Sequence, residues 1–406
     1  MRPDRSRLVI LGSGFAALSV LRRIDARLYD VTVVSPRNYF LFTPLLPSTT
    51  VGTIEFRSII TPIRRRGVRF YQARGEGIDL AASRVACRNS VSFPLPYDRL
   101  VIAVGAVANT FGVPGAAEHA LFLKDVEDAR RIRQRLLENF EAAALPGVPP
   151  EERSRLLRFV ICGGGPTGVE FAAELHDLLL GEGRRYFPQL VERVRITLVE
   201  AGHQILSSFD QSLRHYASEV FHRQRIELRT DARVVRVEKQ WIELAGGERL
   251  PCGLLLWSTG NGPTELVRRL PFQKHAGDRI LTDHYLRVLG QENIYAAGDA
   301  SVMLGKTLPA TSQVAMQQGQ YLARALNRRA RGKPVGPFEY RHLGMLAYIG
   351  DHRALADLPN FKGKGRSAWL FWRSAYLTRL LSVQAKIRVL LDWAKAHVFG
   401  RDISRI

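Results

Sequence analysis

Cysteine is scarce in this chain of 406 residues, which carries only Cys87, Cys162 and Cys252. The number is odd, and no spacing suits a redox pair or a zinc site. That excludes a disulfide scaffold, predicts no metal, and points to a reducing compartment with thiols as small core residues. Acidic residues are also short: 38 Asp and Glu face 59 Lys and Arg, a formal charge of +21. So basic a surface attracts polyanions, whether nucleic acid, anionic lipid or phosphorylated cofactors, and charge alone does not choose among them. A bilayer-length apolar run is missing too. Residues 100–117 are uncharged but hold Gly105, Asn109, Gly112, Pro114 and Gly115, and residues 38–54 are broken by Pro44, Pro47 and Gly52. Both read as strands and turns. The basic start from Met1 to Arg7 mimics a secretion signal, but Gly12–Gly14 interrupts the apolar stretch behind it and no clear cleavage site follows.

What is present is a globular composition, 46% hydrophobic, over a length that suits two or three domains. Residues 7–11 form a short apolar run ending in Gly-Ser-Gly; residues 16–28 have helical spacing, and 31–34 read as a second strand. At Arg158 the pattern restarts. Residues 159–162 are a strand, 163–168 a glycine-rich turn, 169–180 a helix, and 195–199 a strand ending at Glu200. Two such βαβ starts imply a duplicated dinucleotide-binding unit. Between them lie a charged periodic helix at 127–144 and a proline-rich break at 146–150. Further strands are expected at 100–105, 254–258 and 294–297, with a hairpin at Gly246-Gly247.

The first glycine motif, Gly12-Ser13-Gly14-Phe15-Ala16-Ala17, fits G-x-G-x-x-G/A. Glycine is needed there because the backbone turns sharply and must approach a pyrophosphate, which then meets the N–H groups and positive dipole of the helix start. The second strand of this unit ends Ser35-Pro36-Arg37, with no acid for ribose hydroxyls. Ser35 can still bond a ribose, and Arg37 can pair with phosphate. The second motif, Gly163-Gly164-Gly165-Pro166-Thr167-Gly168, is followed by a strand that does end in an acid, Glu200. A carboxylate there accepts ribose hydroxyls and repels a 2′-phosphate, so this site prefers NADH to NADPH. The spacing exceeds the usual ~20 residues, which an insertion at 181–194 explains. A third feature, Gly298-Asp299, follows a strand, where Asp299 accepts bonds from flavin ribityl hydroxyls or caps the next helix.

Together, Gly12–Ala17, Val104-Gly105, Gly163–Gly168 and Gly298-Asp299 resemble the flavoproteins with two dinucleotide-binding domains. No cysteine pair follows the first unit, unlike the disulfide reductases, and none follows Cys252, unlike the sulfide:quinone oxidoreductases. The stretch Ser35-Pro36-Arg37-Asn38-Tyr39-Phe40 through Leu46-Pro47, with Trp257-Ser258-Thr259-Gly260-Asn261, the run from Leu308 to Gln317, and Leu343-Gly344-Met345-Leu346-Ala347-Tyr348, closely resembles the type II NADH dehydrogenases, nearest their mitochondrial-like branch. The likeness runs from about Leu8 to Asp402.

The resemblance implies an α/β fold with two Rossmann-like domains, one for FAD and one for NADH, plus a C-terminal helical membrane-association region. Expected boundaries are 1–125 and 276–335 for the FAD domain, 126–157 for a connecting helix and linker, 158–275 for the NADH domain, and 336–406 for the C-terminal region. It implies FAD contacts from Gly12, Gly14, Phe15, Ala16, Ser35, Pro36, Arg37, Val104, Gly105, Gly298, Asp299, Gln313 and Val314. NADH contacts are expected from Gly163, Gly165, Thr167, Gly168, Glu170, Glu200, Thr259 and Gly260. Gln313 and Gln317, at i, i+4 on one helix face, are expected beside flavin and quinone, and Glu170 near the nicotinamide; these three are the candidate catalytic residues.

The tail supports a membrane reading on its own pattern. Trp369, Trp372, Tyr376, Leu380, Val383, Ile387, Leu391, Ala394 and Val398 repeat every three to four residues, predicting one apolar helical face. Residues 366–406 carry eight basic side chains, Arg405 among them, against Asp392 and Asp402, and three of the five tryptophans. Such a helix lies among anionic headgroups, packs on the body of the protein, or docks a second copy into a homodimer. The expected place is the inner membrane, on its cytoplasmic face in a bacterium or in a mitochondrion. A different reading, a flavin-bearing signalling protein of the apoptosis-inducing-factor kind, would use the basic charge for a partner. The basic residues are scattered and match no nucleic-acid fold, so no nucleic-acid partner is expected.

Overall fold

The structure, a computed structural model, describes residues 5–404. Met1 to Asp4, where the signal-like start begins, and Arg405 of the basic tail lie outside the described residues. The chain parts into two units. One takes the chain up to Phe40, Thr61–Val107 and Asn261–His342; the other takes Leu41–Ile60, Ala108–Gly260 and the chain from Leu343. The boundaries differ from those expected. The long helix Val126–Ala144 falls inside the second unit rather than linking two domains, and the C-terminal region from Leu343 joins that unit.

The first unit is built on a parallel sheet in the order Ile294–Ala296, Arg99–Ile102, Ser6–Leu11, Tyr29–Ser35, Val68–Gln72. Its central strand buries Leu8, Val9, Ile10 and Leu11 at 2% exposure or less, as a strand covered on both faces requires. Each such side chain contributes about 1.5–3 kcal/mol of burial. The expected strand at 100–105 ends at Ile102, and Gly105 beyond it takes a left-handed φ of +69°. A three-stranded antiparallel sheet, Arg74–Asp79, Arg84–Arg88 and Ser92–Pro96, follows the fifth strand.

The helix expected at 16–28 is shorter, Phe15–Arg23. Asn327 ends it from the far side of the sequence: its side chain accepts from Asp25 N–H at 3.0 Å and donates to Arg23 C=O at 2.8 Å. This helix packs on Ser312–Arg329 at Gly319, where a Cβ would stand 2.3 Å from Ala16 O.

The second unit repeats the plan. Its parallel sheet runs Leu121–Phe122, Leu254–Trp257, Arg158–Cys162, Arg195–Val199, Ile226–Arg229, followed by antiparallel Val234–Val237, Trp241–Leu244 and Arg249–Pro251. The duplication therefore extends beyond the glycine turns to a whole sheet and its meander. After a third antiparallel sheet, Met345–Tyr348, Ala354–Leu358 and Phe361–Gly365, come the helices Arg366–Arg379 and Val383–Phe399.

The tail corrects the expected single apolar face. The chain leaves helix at Leu380, and Ser382 caps the next helix through Ala385 N–H at 3.0 Å. Trp372, Tyr376 and Leu380 are buried, whereas Val383, Ile387, Leu391 and Val398 are 52–72% exposed. The tryptophans pack against protein: the Arg373 guanidinium sits 4.3 Å from the Trp369 ring and 4.4 Å from that of Trp393. No helix among the described residues is long and apolar enough to cross a membrane.

Candidate active site

Gly12 leaves the central strand of the first unit at φ +113°, and a Cβ on it would lie 2.2 Å from Ala103 O. Its N–H donates to Val34 C=O at 2.8 Å. The left-handed φ and the blocked Cβ position demand glycine for the fold itself. Gly14 differs: its φ of −82° is open to any residue, and no protein atom lies within 4 Å of a Cβ there. Glycine at 14 keeps space clear before the helix, and no side chain caps that helix. An anion completes such a helix start. Phe15 packs edge-on against Phe40 at 4.9 Å, and Ala16 is buried where the partner helix approaches.

Where an acid would hold ribose, two buried serines stand instead. Ser35 Oγ donates to Ser13 Oγ at 2.9 Å and accepts from Arg37 N–H at 3.2 Å. Pro36 is exposed, and the Arg37 guanidinium lies 6.0 Å from the Tyr39 ring. Val104 packs on the core of this unit, and nothing lies within 4 Å of a Cβ on Gly105. Gly298, at φ +72°, donates its N–H to Gln318 Oε1 at 2.7 Å. Asp299 lines a small cavity with Arg279, Pro309, Val314 and Gln318.

The helix Ser312–Arg329 starts under a Thr311 cap, whose hydroxyl accepts from Val314 N–H at 3.3 Å. Gln313 and Gln317 share a face, as expected, and both reach one segment. Gln317 gives Nε2–H to Arg341 C=O at 2.7 Å and accepts Arg341 N–H at 3.0 Å. Gln313 Oε1 accepts the Tyr340 hydroxyl at 2.7 Å.

The second glycine turn reproduces the first. Gly163 also has φ +113° and donates to Val199 C=O at 2.8 Å. Gly165 caps its helix with nothing within 4 Å of a Cβ. Gly168 lets helix and strand meet, since a Cβ would stand 2.1 Å from Gly163 O. Pro166 and Thr167 open the helix on its more exposed side. Glu200 ends its strand as expected and braces the turn: Oε2 accepts Gly164 N–H at 2.6 Å, and Oε1 accepts Gly202 N–H at 2.7 Å. Thr259 lies against Gly163, and Gly260 takes φ +76° against the Phe111 ring.

Glu170 begins a buried ladder on the helix Pro166–Leu178 that sequence reading missed beyond its first rung. Glu170, Glu174 and Asp177 stand at i, i+4 and i+7, a spacing visible in the chain. Glu170 Oε1 accepts Tyr348 N–H at 3.2 Å, and burial pushes its carboxyl up to about 8. Glu174 accepts Ser48 Oγ–H at 2.6 Å and Thr53 Oγ–H at 2.7 Å, and burial raises it too. Asp177 accepts the Tyr348 hydroxyl and Asp351 N–H; despite its burial, bonds from His176 and Tyr348 hold it below the usual carboxylate range. Arg401 closes the group, 3.1 Å from Glu182 and 3.9 Å from Glu174.

All three cysteines are buried and unpaired, and burial pushes Cys87 and Cys252 to about 11 and Cys162 to about 12. None is a thiolate nucleophile at neutral pH. Among the described residues no cluster could hold a metal ion.

These geometries meet known proteins at this point. The family described as pyridine nucleotide-disulphide oxidoreductase matches residues 6–319, and the NDH2 C-terminal domain matches residues 342–402. A probable NADH dehydrogenase of Dictyostelium discoideum is 44% identical over 99% of this chain and 91% of its own. The external NADH-ubiquinone oxidoreductase 2, mitochondrial, of Saccharomyces cerevisiae is 41% identical over 98% of this chain and 82% of its own. The solved structure of NDH2 from Plasmodium falciparum in complex with NADH superposes with a TM-score of 0.94 at 28% identity, covering 99% of this chain and all of that one.

Proposed function

The chain belongs to the pyridine nucleotide-disulphide oxidoreductases, within the type II NADH dehydrogenases, and from that premise we propose that it carries electrons from NADH through FAD to a quinone at a membrane surface. The observation that carries the reading is the pair of matched glycine turns, Gly12–Gly14 and Gly163–Gly165, each with open space at a helix start, in a chain without a redox cysteine pair. The first feature needs two dinucleotides. The second sends the electrons to an acceptor other than a disulfide.

When bound, FAD would supply a two-electron carrier between NADH and the quinone. The protein's part is to hold and polarise. Gly12, Gly14, Phe15 and Ala16 cradle the flavin nucleotide's pyrophosphate. Ser35 holds the ribose end with Pro36 and Arg37, and Val104 and Gly105 give the backbone approach. Gly298 and Asp299 take ribityl hydroxyls, and Gln313 and Val314 border the ring. Gly163, Gly165, Thr167 and Gly168 receive the pyrophosphate of NADH, Glu200 its ribose, and Thr259 and Gly260 line the same site. Glu170 stands near the nicotinamide as a neutral carboxylic acid at pH 7, given its raised pKa. The signalling alternative is not favoured, since the matching relatives are named as an NADH dehydrogenase and as NADH-ubiquinone oxidoreductases.

The exposed apolar residues Val383, Ile387, Leu391, Val398 and Phe399 of the last helix, with Leu370 and Phe371 of the one before, support attachment to a lipid surface or a second copy of the chain. A patch of this kind marks an interaction site. Relatives described as mitochondrial support a respiratory inner membrane as its place. Anaerobic addition of NADH to the purified flavoprotein is expected to bleach the visible absorption of the oxidised flavin, and a short-chain ubiquinone to restore it. Bleaching that quinone fails to reverse would refute the acceptor assignment.

A further inference from the structure

Transfer of a hydride and reduction of a quinone differ by one proton. NADH gives two electrons and one proton as hydride; a quinol needs two electrons and two protons, so one proton enters from solution for each quinone reduced. As electrons reach a quinone carbonyl, negative charge grows on an oxygen that can only accept hydrogen bonds. A donor fixed there stabilises that charge more than the ground state. Gln313, which borders the flavin ring under the function proposed above and is expected beside the quinone as well, is the residue taken to face that carbonyl, and the present inference rests on that reading. A glutamine amide offers a donor at one end and an acceptor at the other. It serves the reaction only if something decides which end points where.

Tyr340 and His342 make that decision in this chain. Gln313 Oε1 accepts the Tyr340 hydroxyl proton at 2.7 Å. The Tyr340 oxygen lies 3.2 Å from His342 Nδ1, and the two rings are 6.2 Å apart. With the hydroxyl proton committed to Gln313, the second bond requires the tautomer in which His342 Nδ1 carries the proton. Every donor then points the same way along the chain, from imidazole N–H to phenol O–H to amide carbonyl, and the amide NH₂ stands at the end away from Tyr340. Bonds aligned head to tail strengthen one another. Gln317 holds the segment in register by clasping both polar atoms of the Arg341 backbone. Burial raises the Tyr340 phenol above its ordinary range, while His342 is exposed to solvent.

We infer that Tyr340 and His342 are positioning residues of the quinone half-reaction, which lock the Gln313 amide with its NH₂ end toward the acceptor carbonyl. Neither was suggested by the glycine turns or by the glutamine spacing, because the link is made only when the segment after Phe338 returns to the helix Ser312–Arg329.

The test compares two rates in the holoenzyme, quinone-dependent kcat/KM with a short-chain ubiquinone and the rate at which NADH bleaches the bound flavin. Tyr340→Phe removes the hydroxyl and keeps the ring. It is expected to lower kcat/KM for quinone about 3- to 10-fold, the range for one neutral hydrogen bond, with a clearly smaller effect on bleaching. His342→Ala is expected to lower the same ratio, and His342→Asn, whose amide N–H overlays Nδ1, to restore most of it. Gln313→Leu separates the two layers of the argument. If it leaves quinone turnover within twofold of wild type, the assignment of Gln313 to the quinone face is wrong. If it lowers turnover while Tyr340→Phe leaves the ratio of rates unchanged, the assignment stands and the positioning role is overturned. Equal losses in both rates for Tyr340→Phe and His342→Ala also overturn it, because they mark a purely structural role.

Discussion

Gly14→Ala separates a glycine kept for a ligand from one kept for the fold. Gly14 sits at φ −82° and ψ −167°, and no protein atom lies within 4 Å of the position its methyl would take. Alanine is at home in that backbone region, and at a helix cap it is worse than glycine by no more than about 1 kcal/mol. The ligand-free variant should therefore unfold within about 1 kcal/mol of wild type. The methyl would instead occupy the space before the helix start. Displacing a pyrophosphate from two or three backbone N–H bonds to an anion, each worth about 1.5–3 kcal/mol, predicts a loss of FAD affinity of at least about 100-fold. Gly12→Ala is the contrast: its Cβ would meet Ala103 O at 2.2 Å from a left-handed backbone, so it should destabilise the ligand-free fold itself by several kcal/mol, on the order of other strained overpacked sites. Flavin absorbance per polypeptide and thermal melting of the stripped protein read the two effects separately. A Gly14→Ala protein that keeps stoichiometric FAD would refute the placement of the pyrophosphate.

Three further outcomes are expected. Glu200→Gln removes the charge facing a 2′-phosphate, each charge pair at 4 Å being worth about 1 kcal/mol in water and more near a surface; the NADPH/NADH ratio of kcat/KM should rise at least tenfold, and an unchanged ratio would show that Glu200 only braces Gly164 and Gly202. Glu170 has its folded pKa raised to about 8 from 4.5, so its contribution to stability is full below pH 4.5 and is lost as pH rises toward 8. The loss is bounded at roughly 5 kcal/mol. Glu170→Gln should melt with a smaller decline than wild type between pH 6 and 9, and parallel declines in the two proteins would place the titration elsewhere. Leu391→Glu, on an exposed position, should release the protein from anionic vesicles in a flotation assay while leaving its melting temperature within a few degrees; vesicle binding equal to wild type would point to a protein–protein role for that face.

The strands and both glycine turns were legible because their signals are local. Leu8–Leu11 and Phe159–Cys162 are apolar runs that only a doubly covered strand explains, and a glycine that must take φ +113° at 12 and 163 stands in the sequence as glycine. Glu200 was legible for the same reason, as an acid ending a strand. What escaped was set by distant partners. The first helix stops at Arg23 because Asn327 caps it, and no periodicity near residue 23 reports that. The tail reads as one apolar stripe, yet the break at Leu380 turns Trp372 and Tyr376 inward and leaves Ile387 and Leu391 outside. A helical count cannot distinguish the two faces once the helix is interrupted. The acids at 174 and 177 had the right spacing, but their weight comes from Ser48, Thr53, Tyr348 and Arg401, brought in from three separate segments.

The central claim is that electrons pass from NADH through bound FAD to a quinone. The most direct measurement is anaerobic stoichiometry with the purified holoprotein and a short-chain ubiquinone, following NADH and quinol together. One quinol formed for each NADH consumed, with turnover abolished when the flavin is stripped and restored when FAD is added back, is the predicted result. NADH consumption without quinol, or quinol formation that persists in the flavin-free protein, would contradict it.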